Sequence, residues 1–235
     1  MRYAGVDEGT HAWERRRDAV ATTIRTAAPD LLATQEVWLG QLADLQERLN
    51  YAWVAHPDDT GPHTPIAYRS DRFTVVESGA FGLAPGGERG VLGWDAAYPR
   101  TVTHATFRDR RMDRTFQFCS IHLDHRGEEA RREGARLVTD RLSDGPAVVA
   151  GDCNCEPGSE PYRRLTDVAS DTAETAMRRE GPRETYVGFS ENGNPDARRL
   201  DYVFGRGCAV RRHHTLDPDG HPSDHRPVVV ELSVE

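Results

Sequence analysis

Five short motifs in this sequence place acidic, amide and imidazole side chains directly after apolar runs. They are Thr34-Gln35-Glu36-Val37, Ser120-Ile121-His122-Leu123-Asp124, Gly151-Asp152-Cys153-Asn154, Arg199-Leu200-Asp201-Tyr202 and Ser223-Asp224-His225-Arg226-Pro227. Such positions are typical of the ends of buried strands, where the last side chains of neighbouring strands share one surface. Carboxylate oxygens and imidazoles gathered there are the groups that a magnesium-assisted phosphate-ester hydrolase requires.

The residue types in the first and third motifs indicate two kinds of chemistry. Glu36, at the end of a strand predicted over residues 31–37, can hold a hard cation, although a lone Glu there is more often a surface residue before a helix. Asp152 and Asn154 are expected to alternate at one strand end and to face the same way. Asp152 can then bind metal or accept a proton from water, and Asn154 can donate to a phosphoryl oxygen. In isolation, Gly-Asp-x-Asn is also consistent with an Asx-turn.

The histidines complete this set of candidate residues. His225 lies just before the last predicted strand, and Asp201 is its expected partner, because a carboxylate fixes the tautomer of an imidazole and raises its basicity. His122 lies in a strand-like run, where a lone His is more often a core residue than a catalyst. Since several carboxylates around one site repel each other, at least one of them is expected to have a raised pKa.

Length, charge and cysteine content limit the possible functions. The chain of 235 residues suits one compact domain over residues 1–235. All 30 basic residues are arginine, yet the net charge of −8 argues against broad electrostatic capture of nucleic acid. A bound divalent cation would reverse the charge locally, so a phosphate substrate stays possible. No apolar stretch is long enough to span a membrane, and the four cysteines form no CxxC pair. We therefore expect a cytoplasmic monomer with reduced thiols.

The periodicity of apolar residues predicts the elements that must position these side chains. Helices are predicted over residues 12–28, 39–49 and 128–142, and helical pieces over 162–179. Strands are predicted over residues 31–37, 52–55, 65–69, 73–81, 102–107, 115–121, 147–150, 200–204, 209–215 and 228–232. Short turns join several consecutive strands, which favours antiparallel pairing. The pattern indicates a mixed α/β domain with a substantially antiparallel sheet.

Taken together and in this order, the five motifs resemble those of the endonuclease/exonuclease/phosphatase family, and the resemblance covers essentially the whole chain. Gln35-Glu36 resembles the family's metal-binding Gln-Glu, and His122 resembles the His of its Thr-His-Leu segment. Asp152 and Asn154 resemble those of its Gly-Asp-x-Asn motif. Asp201 resembles the Asp of its Asp-Tyr step, and Asp224 with His225 resembles its Ser-Asp-His-x-Pro motif. Two further segments, Gly93-Trp94-Asp95-Ala96-Ala97-Tyr98-Pro99-Arg100 and His122-Leu123-Asp124-His125-Arg126-Gly127, resemble a branch of small bacterial and archaeal metal-dependent hydrolases. That branch is similar to the nocturnin-like and deadenylase side of the family.

The resemblance implies a fold and a reaction. The fold is a four-layer α/β sandwich, with two mixed β-sheets packed face to face and helices outside. The reaction is Mg²⁺- or Mn²⁺-dependent hydrolysis of a phosphodiester or phosphomonoester. The net acidity of the chain and its lack of a basic stripe, rather than the resemblance, favour a small or single-stranded substrate. The implied site has metal ligands Glu36 and Asp224, catalytic residues His122, Asp152, Asn154, Asp201 and His225, and a phosphate contact from Arg100. Trp94 or Tyr98 could supply a stacking face, although core packing is the preferred interpretation for both.

One departure from the family pattern leaves alternatives open. Family members begin with a strand whose Asn enters the active site, whereas this chain begins Met1-Arg2-Tyr3, so that strand is expected to be missing. The in-frame upstream sequence is expected to encode it. An inactive member of the fold that binds a phosphorylated partner is one alternative, and metal-dependent turnover would exclude it. An unrelated regulatory α/β domain is the other, and a structure that scatters Glu36, Asp152 and His225 would establish it.

Overall fold

The computed structural model describes residues 2, 5, 9–56, 63–189 and 194–235. Met1 and Tyr3, where the expectation of a missing strand arises, lie outside the described residues. The helices are α1 (Trp13–Ala27), α2 (Leu39–Arg48), α3 (Glu128–Asp140), α4 (Glu160–Thr166) and α5 (Thr172–Thr175). The strands are β1 (Leu31–Ala33), β2 (Ala52–Val54), β3 (Ile66–Tyr68), β4 (Phe73–Gly82), β5 (Thr101–Asp109), β6 (Arg114–His122), β7 (Ala147–Asp152), β8 (Ser170–Asp171), β9 (Arg178–Glu180), β10 (Asp201–Arg206), β11 (Cys208–Thr215) and β12 (Val228–Val234).

A six-stranded sheet with the order β4-β5-β6-β7-β10-β8 forms the centre of the structure. Its first three strands pair antiparallel, as the short turns between them predict. Strands β6 and β7 are parallel, because helix α3 connects them, and β10 returns antiparallel beside β7. The carboxyl ends of β6 and β7 and the beginning of β10 therefore meet at one edge of the sheet.

Apolar side chains cover both faces of this central sheet and produce four layers. One face packs on α3 and α4 through a core that includes Leu137, Leu165 and Phe204. The opposite face packs on two three-stranded sheets, β1-β3-β2 and β12-β11-β9, around Phe107 and Phe118. Helices α1 and α2 form the outer layer beyond the first of these small sheets. The predicted sandwich of two sheet layers with helices outside is thus confirmed.

A groove of about 2070 Å³ separates the two small sheets. Its sides are β1 and β12, each of which is an edge strand of its sheet, and its lining includes Val148 and Ala150 of the central sheet. Among the described residues, no strand bridges β1 and β12. Asp201 and His225 also line the groove, which therefore extends to the sheet edge where the sequence motifs meet.

Several predicted boundaries differ from the structure at the motifs themselves. The strand predicted over residues 31–37 ends at Ala33, and Glu36 follows in the left-handed region with φ 58°. The strand predicted over 147–150 continues to Asp152, whereas Asn154 has left the strand with φ 46°. The segment 162–179 is helical only in α4 and α5, because β8 and β9 join sheets there. Among the helices in the described part of the chain, none has the length and apolar composition of a membrane span.

Candidate active site

Three of the predicted site residues stand on adjacent strands at the same sheet edge. His122 ends β6 and Asp152 ends β7, and the parallel register places these two residues opposite each other. Asp201 begins β10 and lies opposite Asp152 in the antiparallel register of β7 and β10. Strand pairing alone thus brings together residues that are 79 positions apart in the sequence, from 122 to 201.

His225 reaches the same edge from the loop before β12. Its Nδ1 lies 2.7 Å from Asp201 Oδ2, within the hydrogen-bonding distance expected for this pair. Burial opposes a charge on this imidazole, but the carboxylates of Asp201, Asp152 and Asp224 outweigh it and raise the pKa of His225 to about 10. At neutral pH, His225 is therefore a cation that donates Nδ1–H to Asp201.

Thr185 positions both members of this pair, although no sequence motif had singled it out. Its buried hydroxyl accepts the backbone N–H groups of Leu200 and Asp201, each at 2.9 Å. Its carbonyl accepts the N–H of Arg226 at 2.6 Å, next to His225. One threonine thus ties the start of β10 to the loop that carries the histidine.

Asp152 lies at the centre of these contacts. Its Oδ2 is 3.4 Å from His122 Nε2 and 4.0 Å from His225 Nε2, and its Oδ1 accepts the backbone N–H of Asn154 at 2.8 Å. Burial would raise the pKa of Asp152, but the His122 hydrogen bond and the nearby imidazoles lower it to about 2. At Asp152 the two neighbouring imidazoles thus outweigh burial and any repulsion from other carboxylates. The expectation that one of the site carboxylates has a raised pKa stays a prediction.

Asn154 does not share a strand face with Asp152, contrary to the prediction. The bond from its N–H to Asp152 Oδ1 closes an Asx-turn, which was the alternative interpretation of this motif. One N–H of its side-chain amide donates to the carbonyl of Leu123 at 3.0 Å. This bond holds the loop after β7 against the end of β6, and it leaves the second amide N–H for a ligand.

The two predicted metal ligands, Glu36 and Asp224, lie in different loops next to residues of the site. Gln35 Nε2 lies 3.4 Å from Ser120 Oγ on β6, and Glu36 is the next residue along the chain. The left-handed backbone of Glu36 is uncommon for a side-chain-bearing residue and is typical of functional sites. Asp224 precedes His225 and contributes to the raised pKa of that histidine, which places its charge near the imidazole.

Arg100 is buried behind His122, and the protein itself engages its guanidinium. Nη1 lies 3.0 Å from His122 Nδ1 and 3.3 Å from Nε2, Nη2 lies 3.0 Å from His125 Nδ1, and Nε lies 3.4 Å from Asp124. Of its five N–H groups, those left over would have to make the predicted phosphate contact. In this structure the contacts of Arg100 are thus with side chains of the protein, and they hold His122, His125 and Asp124 in place.

Two residues beside Arg100 had no role in the sequence interpretation. Asp124 is 1% exposed, and backbone N–H groups of Gly127 and Arg126 and the charge of Arg100 overcome the effect of burial and lower its pKa to about 2. His125, one residue later, packs against Tyr98. Core packing is confirmed for Trp94 but wrong for Tyr98, which is 57% exposed. The sequence signal that could have identified Asp124 and His125 is the pattern His122-Leu123-Asp124-His125, in which three polar residues surround one apolar residue.

One carboxylate oxygen each of Asp152 and Asp201 and one ring nitrogen of His225 lie within 4.8 Å of one another. The two carboxylates supply oxygen atoms of the kind that Mg²⁺ and Mn²⁺ prefer, whereas the predicted ligands Glu36 and Asp224 are not part of this cluster. The residues present therefore fit a hard divalent cation.

Comparison with known proteins agrees with this geometry. The sequence matches the profile of the Endonuclease/Exonuclease/phosphatase family over residues 7–225. An endonuclease/exonuclease/phosphatase from Bacteroides vulgatus is 31% identical with a TM-score of 0.93, over 100% of this chain and 96% of that one. A mannosyl-6-phosphatase from Bacteroides thetaiotaomicron is 30% identical with a TM-score of 0.89, over 99% and 96%.

A functionally unknown protein from Enterococcus faecalis is 26% identical with a TM-score of 0.91, over 100% of this chain and 97% of that one. No curated protein matches the sequence. The family profile spans most of the chain, and two solved structures reach 30% identity over nearly its whole length. This chain belongs to the endonuclease/exonuclease/phosphatase family.

Proposed function

We propose that this chain hydrolyses phosphate esters with Mg²⁺ or Mn²⁺ and that its substrate is a small phosphomonoester. The observation that carries the proposal is the convergence of Asp152, Asp201 and His225, whose carboxylate oxygens and ring nitrogen lie within 4.8 Å of one another. His122 contacts the same carboxylate of Asp152 at 3.4 Å. Alternating anionic and cationic groups at one sheet edge suit a reaction in which negative charge spreads over phosphoryl oxygens.

The metal would be held by Glu36 and Asp224, with Asp152 or Asp201 able to add an oxygen ligand. When bound, it would neutralise charge on a phosphoryl oxygen and polarise the phosphorus–oxygen bonds. The left-handed backbone of Glu36 and the contribution of Asp224 to the pKa of His225 support this assignment, and the closely spaced Asp152 and Asp201 supply the further oxygen atoms.

The protein side chains have distinct parts in this mechanism. Asp152, anionic because its pKa is lowered, orients the attacking water and accepts its proton as the water oxygen bonds to phosphorus. The ester P–O bond breaks, and the leaving oxygen is protonated by water. His225, held cationic by Asp201, donates Nε2–H to a phosphoryl oxygen, as do His122 and the second amide N–H of Asn154.

Charge and similarity both favour a small substrate. The net charge of −8 opposes long polyanions such as duplex DNA. The mannosyl-6-phosphatase that is 30% identical over 99% of this chain acts, by its name, on a phosphorylated sugar. We therefore place sugar phosphates first among the candidate substrates and short single-stranded nucleic acids second.

A chromogenic assay tests the reaction. We expect metal-dependent release of p-nitrophenol from p-nitrophenyl phosphate, with slower release from the corresponding diester. Asp152→Asn should lower kcat by at least about 100-fold, as loss of a general base does. The matched control is Asp144→Asn, at an exposed aspartate before the opposite end of β7, and it should keep wild-type kcat. Absence of turnover with every ester and both metals would favour the binding-only alternative.

The metal assignment needs a separate comparison. Glu36→Gln should raise the Mg²⁺ concentration needed for half-maximal rate about 10- to 100-fold, and excess metal should restore much of the rate. Glu47→Gln, at an exposed position on α2, is the control and should leave the metal dependence unchanged. A loss in Glu36→Gln that no metal concentration repairs would mean that Glu36 has another role.

A further inference from the structure

The loop of residues 93–100, which we call the Tyr98 loop, lies beside the candidate active site. Asp95 fixes the loop to helix α3, because its carboxylate accepts the N–H of Ala130 at 2.7 Å and that of Glu129 at 3.3 Å. Gly127 permits this approach, since a Cβ atom there would lie 2.4 Å from Asp95 Oδ1. The Tyr98 loop is therefore anchored at the helix amino terminus and is preorganised.

Asp124 fixes the other side of the Tyr98 loop. Its Oδ1 accepts the N–H groups of Arg126 and Gly127 at 2.9 and 2.8 Å. Its Oδ2 lies 3.4 Å from both the N–H of Tyr98 and Nε of Arg100. One buried carboxylate thus locks the Tyr98 loop to the segment that follows β6.

Arg100 then determines which nitrogen of His125 carries the proton. A guanidinium can only donate, so His125 Nδ1, 3.0 Å from Arg100 Nη2, must be the acceptor. Burial and the charge of Arg100 lower the pKa of His125, which keeps the ring neutral. The proton is therefore on Nε2, and the ring, which is 37% exposed, can donate it to a ligand.

Tyr98 offers an open aromatic face next to that donor. Its ring stacks on His125 with centroids 5.7 Å apart and an interplanar angle of 17°. The side chain is nevertheless 57% exposed, so the face away from His125 is accessible. Tyrosine combines an apolar ring with a polar hydroxyl and is enriched at interfaces, so an exposed Tyr98 that a second ring holds in place suits a binding surface.

We propose that Tyr98 and His125 form the subsite for the sugar ring of a hexose phosphate. The ring would stack on the open face of Tyr98, and one of its hydroxyl groups would accept Nε2–H of His125. Through Arg100 and His122, this subsite adjoins Asp152, where the phosphate would be hydrolysed. This subsite assignment rests on the proposed function, and it specifies that the leaving group of the hydrolysed ester is a sugar. A single open face with one edge donor suits a hydroxyl-rich ring, and a nucleobase is the competing occupant.

The test compares esters with and without a ring. Steady-state constants would be measured with Mg²⁺ for mannose 6-phosphate, glycerol 1-phosphate and adenosine monophosphate. Tyr98→Ala should lower the ratio of kcat/KM for mannose 6-phosphate to that for glycerol 1-phosphate about 10-fold, mainly through KM, as loss of one stacking contact does. Tyr98→Phe should keep the wild-type ratio. Met112→Ala, at an exposed apolar residue in the turn at the far end of β5, is the matched control.

Two histidine variants separate ligand contact from positioning. His125→Asn keeps an oxygen near the position of Nδ1 for Arg100 but removes the Nε2 donor, so the ratio should fall. His125→Ala also removes the acceptor of Arg100, so kcat should fall as well. A ratio that stays at the wild-type value in both Tyr98→Ala and His125→Asn would overturn the subsite.

Binding to an inactive protein distinguishes the two proposals. Calorimetry would measure mannose 6-phosphate binding to Asp152→Asn and to Asp152→Asn with Tyr98→Ala. Weaker binding in the double variant supports the subsite even if the wild-type chain hydrolyses nothing, in which case only the proposed function fails. Equal binding in both, or an effect of Tyr98→Ala confined to adenosine monophosphate, contradicts the sugar subsite.

Discussion

The negative charge of Asp201 has two effects on His225. The carboxylate holds the imidazole at 2.7 Å and contributes to its raised pKa, so the orientation and the charge of His225 both depend on it. The asparagine side chain has nearly the same shape but carries no charge. The replacement therefore separates electrostatics from packing.

We expect Asp201→Asn to lower kcat/KM for a phosphate ester about 100-fold, within the range seen when a positioning carboxylate is removed. Asp196→Asn, at an exposed residue five positions earlier, should have no effect. The far-ultraviolet circular dichroism of both variants should match that of the wild type. Wild-type kinetics in Asp201→Asn would show that the pair is structural only.

At the residue scale, sequence alone could select His122, Asp152, Asp201 and His225, because each is a polar group that follows an apolar run. It could not decide between a strand end and an Asx-turn for Asn154, because Gly-Asp-x-Asn is compatible with both conformations. The hydrogen bond from the Asn154 amide to the carbonyl of Leu123, which is distant in the sequence, favours the turn.

At the scale of elements, a buried ion pair connects β8, α4 and the start of β10. Asp171 Oδ1 lies 2.7 Å from Arg199 Nη2, and Asp171 Oδ2 accepts the hydroxyl of Tyr162 at 2.9 Å. The side chains of Asp171 and Arg199 are 2% and 8% exposed. Because Asp201 follows Arg199 by two residues, the Asp171–Arg199 pair also helps to position Asp201 in the candidate active site.

Removing one partner of this pair should destabilise the fold strongly. Asp171→Ala leaves the guanidinium of Arg199 buried without its main acceptor, and such changes cost about 3–5 kcal/mol. Asp140→Ala breaks the exposed pair with Arg136 on α3 and should have a much smaller effect. Urea unfolding at neutral pH measures both. Similar losses in the two variants would mean that the Asp171 pair is no more important than a surface contact.

Sequence patterns located most of these elements but not the relation between the small sheets. Alternation of apolar residues identifies a strand such as β12, yet it does not reveal which neighbour the strand pairs with. The groove between β1 and β12 therefore emerges only in three dimensions. The short β8 and β9 were missed for a related reason, because two or three residues are too few to display a period.

At the scale of the whole molecule, the pH dependence of folding provides the last prediction. His213 on β11 is 2% exposed, and its Nδ1 lies 3.0 Å from the hydroxyl of Thr172. That hydroxyl donates to the carbonyl of Val203 at 2.8 Å, so it accepts from His213. Burial, assisted by the charge of Arg199, lowers the pKa of His213 to about 4. The histidine is therefore neutral in the folded protein throughout the mildly acidic range.

The unfolded chain takes up a proton at His213 near pH 6.5, whereas the folded chain does so only near pH 4. Between these values the unfolded state binds more protons, so the free energy of unfolding decreases as the pH falls from about 6.5 to about 4. Above pH 6.5, His213 is neutral in both states and does not make the free energy of unfolding depend on pH. The full difference corresponds to about 3 kcal/mol, since each pKa unit is worth about 1.4 kcal/mol.

His213→Asn should flatten this part of the stability profile, because the asparagine amide keeps a hydrogen-bond donor near the position of Nδ1 for Thr172 but does not titrate. Urea unfolding at intervals from pH 7.5 to pH 4.5 measures the slope. Val210→Ala, at a buried residue on the same strand, is the control, since it lowers stability without removing a titrating group and should keep the wild-type slope. If His213→Asn and the wild type lose stability in parallel as the pH falls, burial of His213 is not the source of the acid sensitivity.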